Sequence, residues 1–108
     1  MNLVEIIKYL TDPEKLKELY KEQGLNTESE ALLIYMQETL NLDSEISFFE
    51  LEETEDNLFF EKDGKQYIQL FSLDYAVELI ELDLNLKDKG YSDMKIAERL
   101  LDYRKNDA

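Results

Sequence analysis

The chain has 108 residues and a formal net charge of -14 at pH 7. This length and an apolar content of 44% predict a single small acidic domain, 1–108, with a frayed tail from Lys105. The chain lacks cysteine and histidine, which excludes disulfides, zinc–thiolate sites, thiol nucleophiles and histidine-based catalysis.

The amino-terminal segment, Met1–Leu10, has its apolar residues on one side of a short helix. This helix must end near Thr11, because the residue before Pro13 disfavours helical angles. The charges of Glu5 and Lys8 interrupt the apolar run, so it is not the core of a signal peptide. No stretch approaches the roughly 20 apolar residues of a membrane span. We therefore expect a cytoplasmic protein that does not act at a membrane.

Two further helices are predicted before the middle of the chain. Asp12 is the expected N-cap of the second, with Pro13 in its first turn and Gly24 at its end. A capping box of Thr27 and Glu30 then favours a helix over the apolar run Ala31–Met36, extended by Leu40.

Three segments with strand character follow: Ile46–Leu51, Leu58–Glu61 and Gln66–Phe71. Asp63-Gly64 predicts a tight type I′ hairpin between the second and third, because glycine adopts positive φ freely. The acidic loop Glu52–Asn57 joins the first two. We predict a three-stranded antiparallel meander.

Two helices complete the prediction. Ser72 is the expected cap of the first, in which apolar residues from Leu73 to Leu86 form a wide arc packed on the sheet. Gly90 ends it, and Ser92 caps the last helix. The expected fold class is α+β, in the order of three helices, three strands and two helices.

The segment Gly90-Tyr91-Ser92-Asp93, followed by Ile96-Ala97, resembles the entry to the second helix of a helix-turn-helix motif. That resemblance would imply DNA binding. Affinity for DNA depends mainly on basic residues that neutralise phosphates, and a chain of net charge -14 is repelled by them. We therefore expect an ordinary helical hairpin and no direct contact with nucleic acid.

The negative charge is concentrated in the middle of the chain. Residues 25–64 contain twelve of the 26 acidic residues and a single basic residue, Lys62. Solubility alone would be served by a surface of mixed sign. Two interpretations remain open: a solvated acidic face, or a surface arranged for a basic partner.

Adjacent phenylalanines occur twice, as Phe48-Phe49 and Phe59-Phe60. Side chains alternate across a strand, so each pair places one ring on each face of the sheet. Either helices cover both faces, or one face is an aromatic patch with an acidic rim. The hairpin register places Tyr67 and Phe71 on the face of Phe60.

These features predict a partner-binding surface of aromatic and acidic side chains. Its members are Phe48, Glu50, Glu52, Glu53, Glu55, Asp56, Phe60, Glu61, Asp63 and Tyr67. The expected function is that of a non-catalytic inhibitor, such as an immunity protein, an antitoxin or a phage-type blocker. Its carboxylates would replace phosphates on a basic protein, such as a nuclease or another nucleic-acid-binding protein.

Other functions have less support in the sequence. No isolated carboxylate pair and no phosphate-binding glycine loop suggests an enzyme, and no cofactor is expected. A calcium-responsive module is one alternative, although the nearest match to a calcium loop, Asp83-Leu84-Asn85-Leu86-Lys87, has lysine at a ligand position. A housekeeping protein that forms a homodimer through an apolar sheet face is another.

Overall fold

The structure, a computed structural model, describes residues 1–24, 32–83 and 90–107. Its elements are α1 (Leu3–Leu10), α2 (Pro13–Glu22), β1 (Leu32–Gln37), β2 (Ile46–Glu50), α3 (Leu51–Thr54), β3 (Phe59–Lys62), β4 (Lys65–Ser72), α4 (Leu73–Glu78) with a π-helical continuation (Leu79–Asp83), and α5 (Asp93–Asp107). The described residues form the mixed helix and sheet fold that the α+β prediction requires. The number and the order of the elements differ from the prediction.

Three of the predicted capping residues, Asp12, Ser72 and Ser92, do begin helices in the structure. The Asp12 carboxylate accepts a hydrogen bond from the Glu14 amide, and Pro13 opens α2 as predicted. Ser72 accepts from the Tyr75 amide at the start of α4, and Ser92 accepts from the Lys95 amide at the start of α5.

The apolar run after the amino-terminal helices is a strand, so the predicted third helix is wrong where the structure describes it. Residues Leu32–Gln37 form β1, and all but Gln37 are buried. A central strand that is buried on both faces has no alternation of polar and apolar residues, and its sequence therefore resembles a buried helix. Thr27, Glu30 and Ala31 lie outside the described residues.

The four strands form one antiparallel sheet in the order β2-β1-β4-β3. The Asp63-Gly64 hairpin between β3 and β4 is confirmed, with φ of 54° and 78° at its two turn residues. The predicted meander is wrong, because β2 and β3 lie at opposite edges of the sheet. Residues 51–58 must therefore cross from one edge to the other, and we call them the crossover. The crossover includes the predicted acidic loop. The first turn of the crossover is the helix α3.

The main core lies between one face of the sheet and helices α1, α4 and α5. Its buried members from the sheet include Ile34, Met36 and Leu70, and its members from the helices include Ile6 and Leu100. These side chains are almost entirely removed from solvent. Helices thus cover this face, which both interpretations of the aromatic pairs allow.

A β-bulge in β4 explains why Phe71 does not share the face of Phe60. Ile34 pairs with Phe71 and Tyr35 pairs with Gln69, so Leu70 is the extra residue between them. Leu70 and Phe71 both belong to the main core. Tyr67, which precedes the bulge, does lie beside Phe60 as predicted.

Part of the predicted carboxy-terminal region cannot be compared with the structure. Residues 84–89, which include Leu86, Asn85 and Lys87, lie outside the described residues. Within the described ranges no helix is long and apolar enough to cross a membrane.

Candidate functional site

Four aromatic rings form a second cluster on the sheet face that helices α1, α4 and α5 do not cover. We call Tyr35, Phe49, Phe60 and Tyr67 the aromatic cluster. The Phe49 ring lies at its centre, with ring centroids 5.6 Å from Tyr35, 5.1 Å from Phe60 and 5.1 Å from Tyr67, all edge to face. This geometry places the positive ring edges against negative ring faces and stabilises the cluster beyond its burial.

The crossover is anchored to this face by hydrogen bonds from buried or half-buried side chains. The Tyr35 hydroxyl donates to the Asn57 carbonyl at 2.5 Å. The Gln69 side-chain amide donates to the Tyr35 hydroxyl at 3.2 Å and to the Asp56 carboxylate at 2.9 Å. Thr54 is buried, and its hydroxyl accepts from the Asp56 amide. The crossover therefore has a defined position over the sheet.

The end of α3 has an unusual backbone. Glu55 and Asp56 both have left-handed angles, with φ of 55° and 58°. Residues with a side chain rarely adopt this region, because Cβ approaches the carbonyl oxygen, although asparagine and aspartate do so more often than the others. Glu55 ends the helix at a position that glycine ordinarily fills. Glu55 thus occupies a strained position, whereas Asp56 adopts angles that aspartate tolerates better.

The carboxylates of the predicted site are largely exposed. Six of them are on the solvent-facing surface: Glu52, Glu53, Glu55, Asp56, Glu61 and Asp63. The Lys62 ammonium donates to the Glu53 carboxylate at 2.6 Å and lies 5.4 Å from the centre of the Phe49 ring. Among the described residues this is the one ion pair of the crossover.

Lys62 is the basic residue that contacts the crossover. Its hydrogen bond to Glu53, together with the negative charge of Glu53, raises the pKa of the Lys62 ammonium. The smaller effect of burial acts in the opposite direction. Lys62 stays charged at physiological pH and neutralises one carboxylate, while Glu52 and Glu55 have no ion pair within the described residues.

The structure brings most of the predicted site residues together but separates two of them. Phe60 and Tyr67 lie in the aromatic cluster, and the acidic residues lie on the crossover or on the β3–β4 hairpin beside it. Phe48 packs against the main core, on the opposite face of the sheet. Alternation along β2 places Glu50 on the side of Phe48.

Sequence reasoning missed several residues that build this surface. Phe49 was identifiable, since alternation requires one ring of each pair on each face. Tyr35 and Gln69 have no sequence signal of such a role. The apolar run around Tyr35 predicts a helix, and Gln69 resembles any other polar strand residue until its contact with the crossover is known.

A cleft of about 670 Å³ opens beside the crossover. Its walls come from the crossover, from the ends of β1 and β4, from α4 and from α5. The apolar lining is provided by Leu33, Leu51, Leu58, Leu70, Phe71, Tyr75 and Tyr103, and the polar lining by Asp56, Gln69, Ser72 and Arg104. This volume lies within the range of about 300–1,000 Å³ that ligand pockets occupy.

A series of hydrogen bonds runs through the lining of the cleft. The Arg104 Nε donates to the Gln69 carbonyl at 3.1 Å, and the Gln69 side chain donates to Asp56. The hydroxyls of Tyr75 and Tyr103 lie 3.0 Å apart. Gln69 thereby connects α5, β4 and the crossover.

Grouped acidic side chains can also hold a metal ion. Within residues 1–24, 32–83 and 90–107, no three of them are grouped so that they could do so. The calcium-loop candidate extends into residues outside the described part of the chain.

Comparison of the chain with protein-family models, with curated proteins and with solved structures finds no significant match.

Proposed function

We propose that this chain is a non-catalytic protein-binding module that acts in the cytoplasm as a stoichiometric inhibitor of a basic protein. The docking surface is the crossover together with the adjoining β3–β4 hairpin. The partner is of the kind that itself binds nucleic acid, such as a nuclease, because a row of carboxylates can occupy positions that phosphates otherwise take.

One observation carries this proposal. The carboxylates of Glu52, Glu55 and Asp56 are exposed, and they lie on a segment that Tyr35 and Gln69 hold against the sheet. Like charges this close repel one another, so the arrangement costs stability in the isolated chain. A basic partner would relieve that repulsion, and the preset position of the segment would reduce the entropy lost on binding.

The arrangement also suggests how the inhibitor would act. Its net charge of -14 would attract a basic channel at long range and accelerate association. The anchored carboxylates would then contact the lysine and arginine side chains that bind phosphate. No bond is made or broken, so inhibition would follow the stoichiometry of the complex.

Affinity capture tests this function. The chain is used as bait in an extract of the cells that produce it, beside the triple variant Glu52→Lys, Glu55→Lys and Glu61→Lys. The expected result is one strongly basic protein that the unaltered bait retains. The variant should retain about tenfold less of it, or still less.

A matched control reverses the same number of charges elsewhere. Glu14, Glu18 and Glu22 are exposed on α2, away from the crossover, and changing them to lysine should leave capture within about twofold of the unaltered chain. The captured protein, once purified, should lose its activity at one equivalent of inhibitor. Equal losses with both triple variants would show a general charge effect and contradict the proposed surface.

A further inference from the structure

The exposed apolar side chains are not scattered at random over the described residues. Four large ones are exposed, namely Leu58, Phe59, Tyr75 and Met94. Two of these, Leu58 and Tyr75, line the same cleft, although 17 positions separate them in the sequence. An apolar lining that different elements bring together is the usual character of a pocket for an anchoring side chain.

The cleft is continuous with the acidic surface. Leu51, Asp56 and Leu58 belong to the crossover, and all three line the cleft. Asp56 places one carboxylate in the lining itself, and Glu52, Glu53 and Glu55 lie on the same short segment. A partner that places basic residues on the crossover therefore has an apolar opening directly beside them.

The lining selects the kind of side chain that fits. The lining carries one charge of each sign, Asp56 and Arg104, and its other members are mostly apolar, so it offers no net charge to an inserted lysine or arginine. A guanidinium group can stack on an aromatic ring, and Tyr103 adds a ring surface to the same wall. The volume of about 670 Å³ accommodates the largest aromatic side chain with part of its backbone.

The floor of the cleft is already fixed before any ligand arrives. Gln69 receives the Arg104 hydrogen bond on its carbonyl and directs its amide to Asp56 and Tyr35. An aromatic side chain therefore gains the burial of its ring with little ordering cost.

We propose that this cleft receives a bulky aromatic side chain of the basic partner, flanked by lysine or arginine residues that pair with the crossover. The inference rests on the proposed function and adds the residue type that anchors the complex. Charge on the crossover provides attraction, and the cleft determines which basic protein is retained.

The composition of the chain provides a direct assay. The protein contains no tryptophan, so the emission of a tryptophan peptide can be followed without interference when excitation avoids tyrosine. The probe is the amidated pentapeptide Lys-Lys-Trp-Lys-Lys. Its controls are Lys-Lys-Ala-Lys-Lys, measured by calorimetry, and Glu-Glu-Trp-Glu-Glu.

The expected result is a saturable blue shift of tryptophan emission with Lys-Lys-Trp-Lys-Lys. The alanine peptide should bind at least about tenfold more weakly, because it lacks the anchor. In a nuclear magnetic resonance titration, the signals of Leu51, Leu58, Tyr103 and Arg104 should shift with the tryptophan peptide.

Two matched variants locate the binding. Leu58 and Met94 have nearly the same exposure, 47% and 48%, but Met94 is not part of the cleft lining. Leu58→Gln should weaken the tryptophan peptide about fivefold or more, and Met94→Gln should leave it unchanged. Both side chains are exposed, so both variants should keep the fold, which circular dichroism verifies.

The outcomes separate this inference from the function on which it rests. Equal binding of the tryptophan and alanine peptides, with no effect of Leu58→Gln, would overturn the aromatic anchor while leaving an acidic surface that binds basic ligands. Equal binding of Lys-Lys-Trp-Lys-Lys and Glu-Glu-Trp-Glu-Glu would overturn the basic flanks and count against the proposed function. Absence of binding by every peptide would overturn the inference.

Discussion

At the scale of single residues, Tyr35 has the most consequential position in the structure. Its ring belongs to the aromatic cluster, and its hydroxyl joins the sheet to the crossover by donating to Asn57 and accepting from Gln69. One side chain thus contributes both apolar packing and the polar contact that places the carboxylates. A buried hydroxyl with two partners is costly to remove, because both partners then lose a hydrogen bond.

We expect Tyr35→Phe to lower the free energy of unfolding by about 1–2 kcal/mol, since it leaves the half-buried Gln69 amide and the Asn57 carbonyl with one partner fewer. Urea denaturation measures this change. Tyr9→Phe is the control, because the Tyr9 hydroxyl makes an exposed contact of 3.4 Å with Glu22 and should matter by less than about 0.5 kcal/mol. Similar losses in both variants would show that the Tyr35 hydroxyl does not anchor the crossover.

A second prediction at this scale concerns the strained end of α3. Glu55→Gly should raise stability by about 0.5–1 kcal/mol, because glycine adopts φ of 55° without the steric cost. Glu52→Gly, which changes a residue with helical angles in α3, should lower stability by a similar amount. Thermal unfolding followed by circular dichroism compares them.

If Glu55→Gly stabilises the chain and also weakens capture of the partner, then Glu55 serves binding at the expense of stability. Destabilisation by Glu55→Gly would instead show that this carboxylate contributes to the fold of the isolated protein.

At the scale of elements, the central strand and the edge strands differ in ways that the sequence only partly reveals. The segments that form β2, β3 and β4 were identified with nearly correct limits, because each carries alternation or a turn signal. Strand β1 was not identified, since Leu32–Met36 is apolar at every position and alternation disappears when both faces are buried. With β1 missing, β2 and β3 had to be paired with each other, and the crossover became a simple loop.

The same error determined how much of the candidate site could be found. The acidic residues and Phe60 with Tyr67 were identified from local signals, namely charge, alternation and the Asp63-Gly64 turn. The position of Phe48 against the main core and the presence of the cleft both depend on long-range order, which local sequence patterns do not contain. Residues that meet only because β1 separates β2 from β4 leave no short-range pattern.

The edge position of β3 leads to a prediction about proline. Leu58 accepts a hydrogen bond from the Gln69 amide, and alternation then turns the Glu61 amide away from β4. Glu61→Pro should therefore keep the fold and lower the melting temperature only slightly. Ile68→Pro, in a strand paired on both sides, should unfold the chain. Circular dichroism at increasing temperature distinguishes the two, and unfolding by both variants would contradict the edge position of β3.

At the scale of the whole molecule, charge affects folding and binding in opposite directions. A net charge of -14 on 108 residues makes the folded chain repel itself, and added salt screens that repulsion. Attraction to a basic partner is screened by the same ions. The isolated protein and the proposed complex should therefore respond to salt with opposite signs.

We expect the melting temperature of the isolated chain to rise as sodium chloride increases from about 50 mM to about 300 mM, while association with the captured partner slows. Calorimetry and stopped-flow mixing measure the two responses. The double variant Glu52→Gln and Glu55→Gln should reduce both effects, because it removes charge from the crossover. A melting temperature that is independent of salt would show that the carboxylates do not strain the fold.

The strand order has one more consequence. Residues 1–55 contribute β1 and β2 as neighbours, residues 56–108 contribute β3 and β4 as neighbours, and the β1–β4 ladder joins these contiguous halves. A peptide-bond cut between Glu55 and Asp56 would thus separate two polypeptides that each contain a hairpin and at least one helix. Mixed together, such fragments should reassociate, and the recovery of native circular dichroism would report on the central ladder together with the packing of α1 against α5.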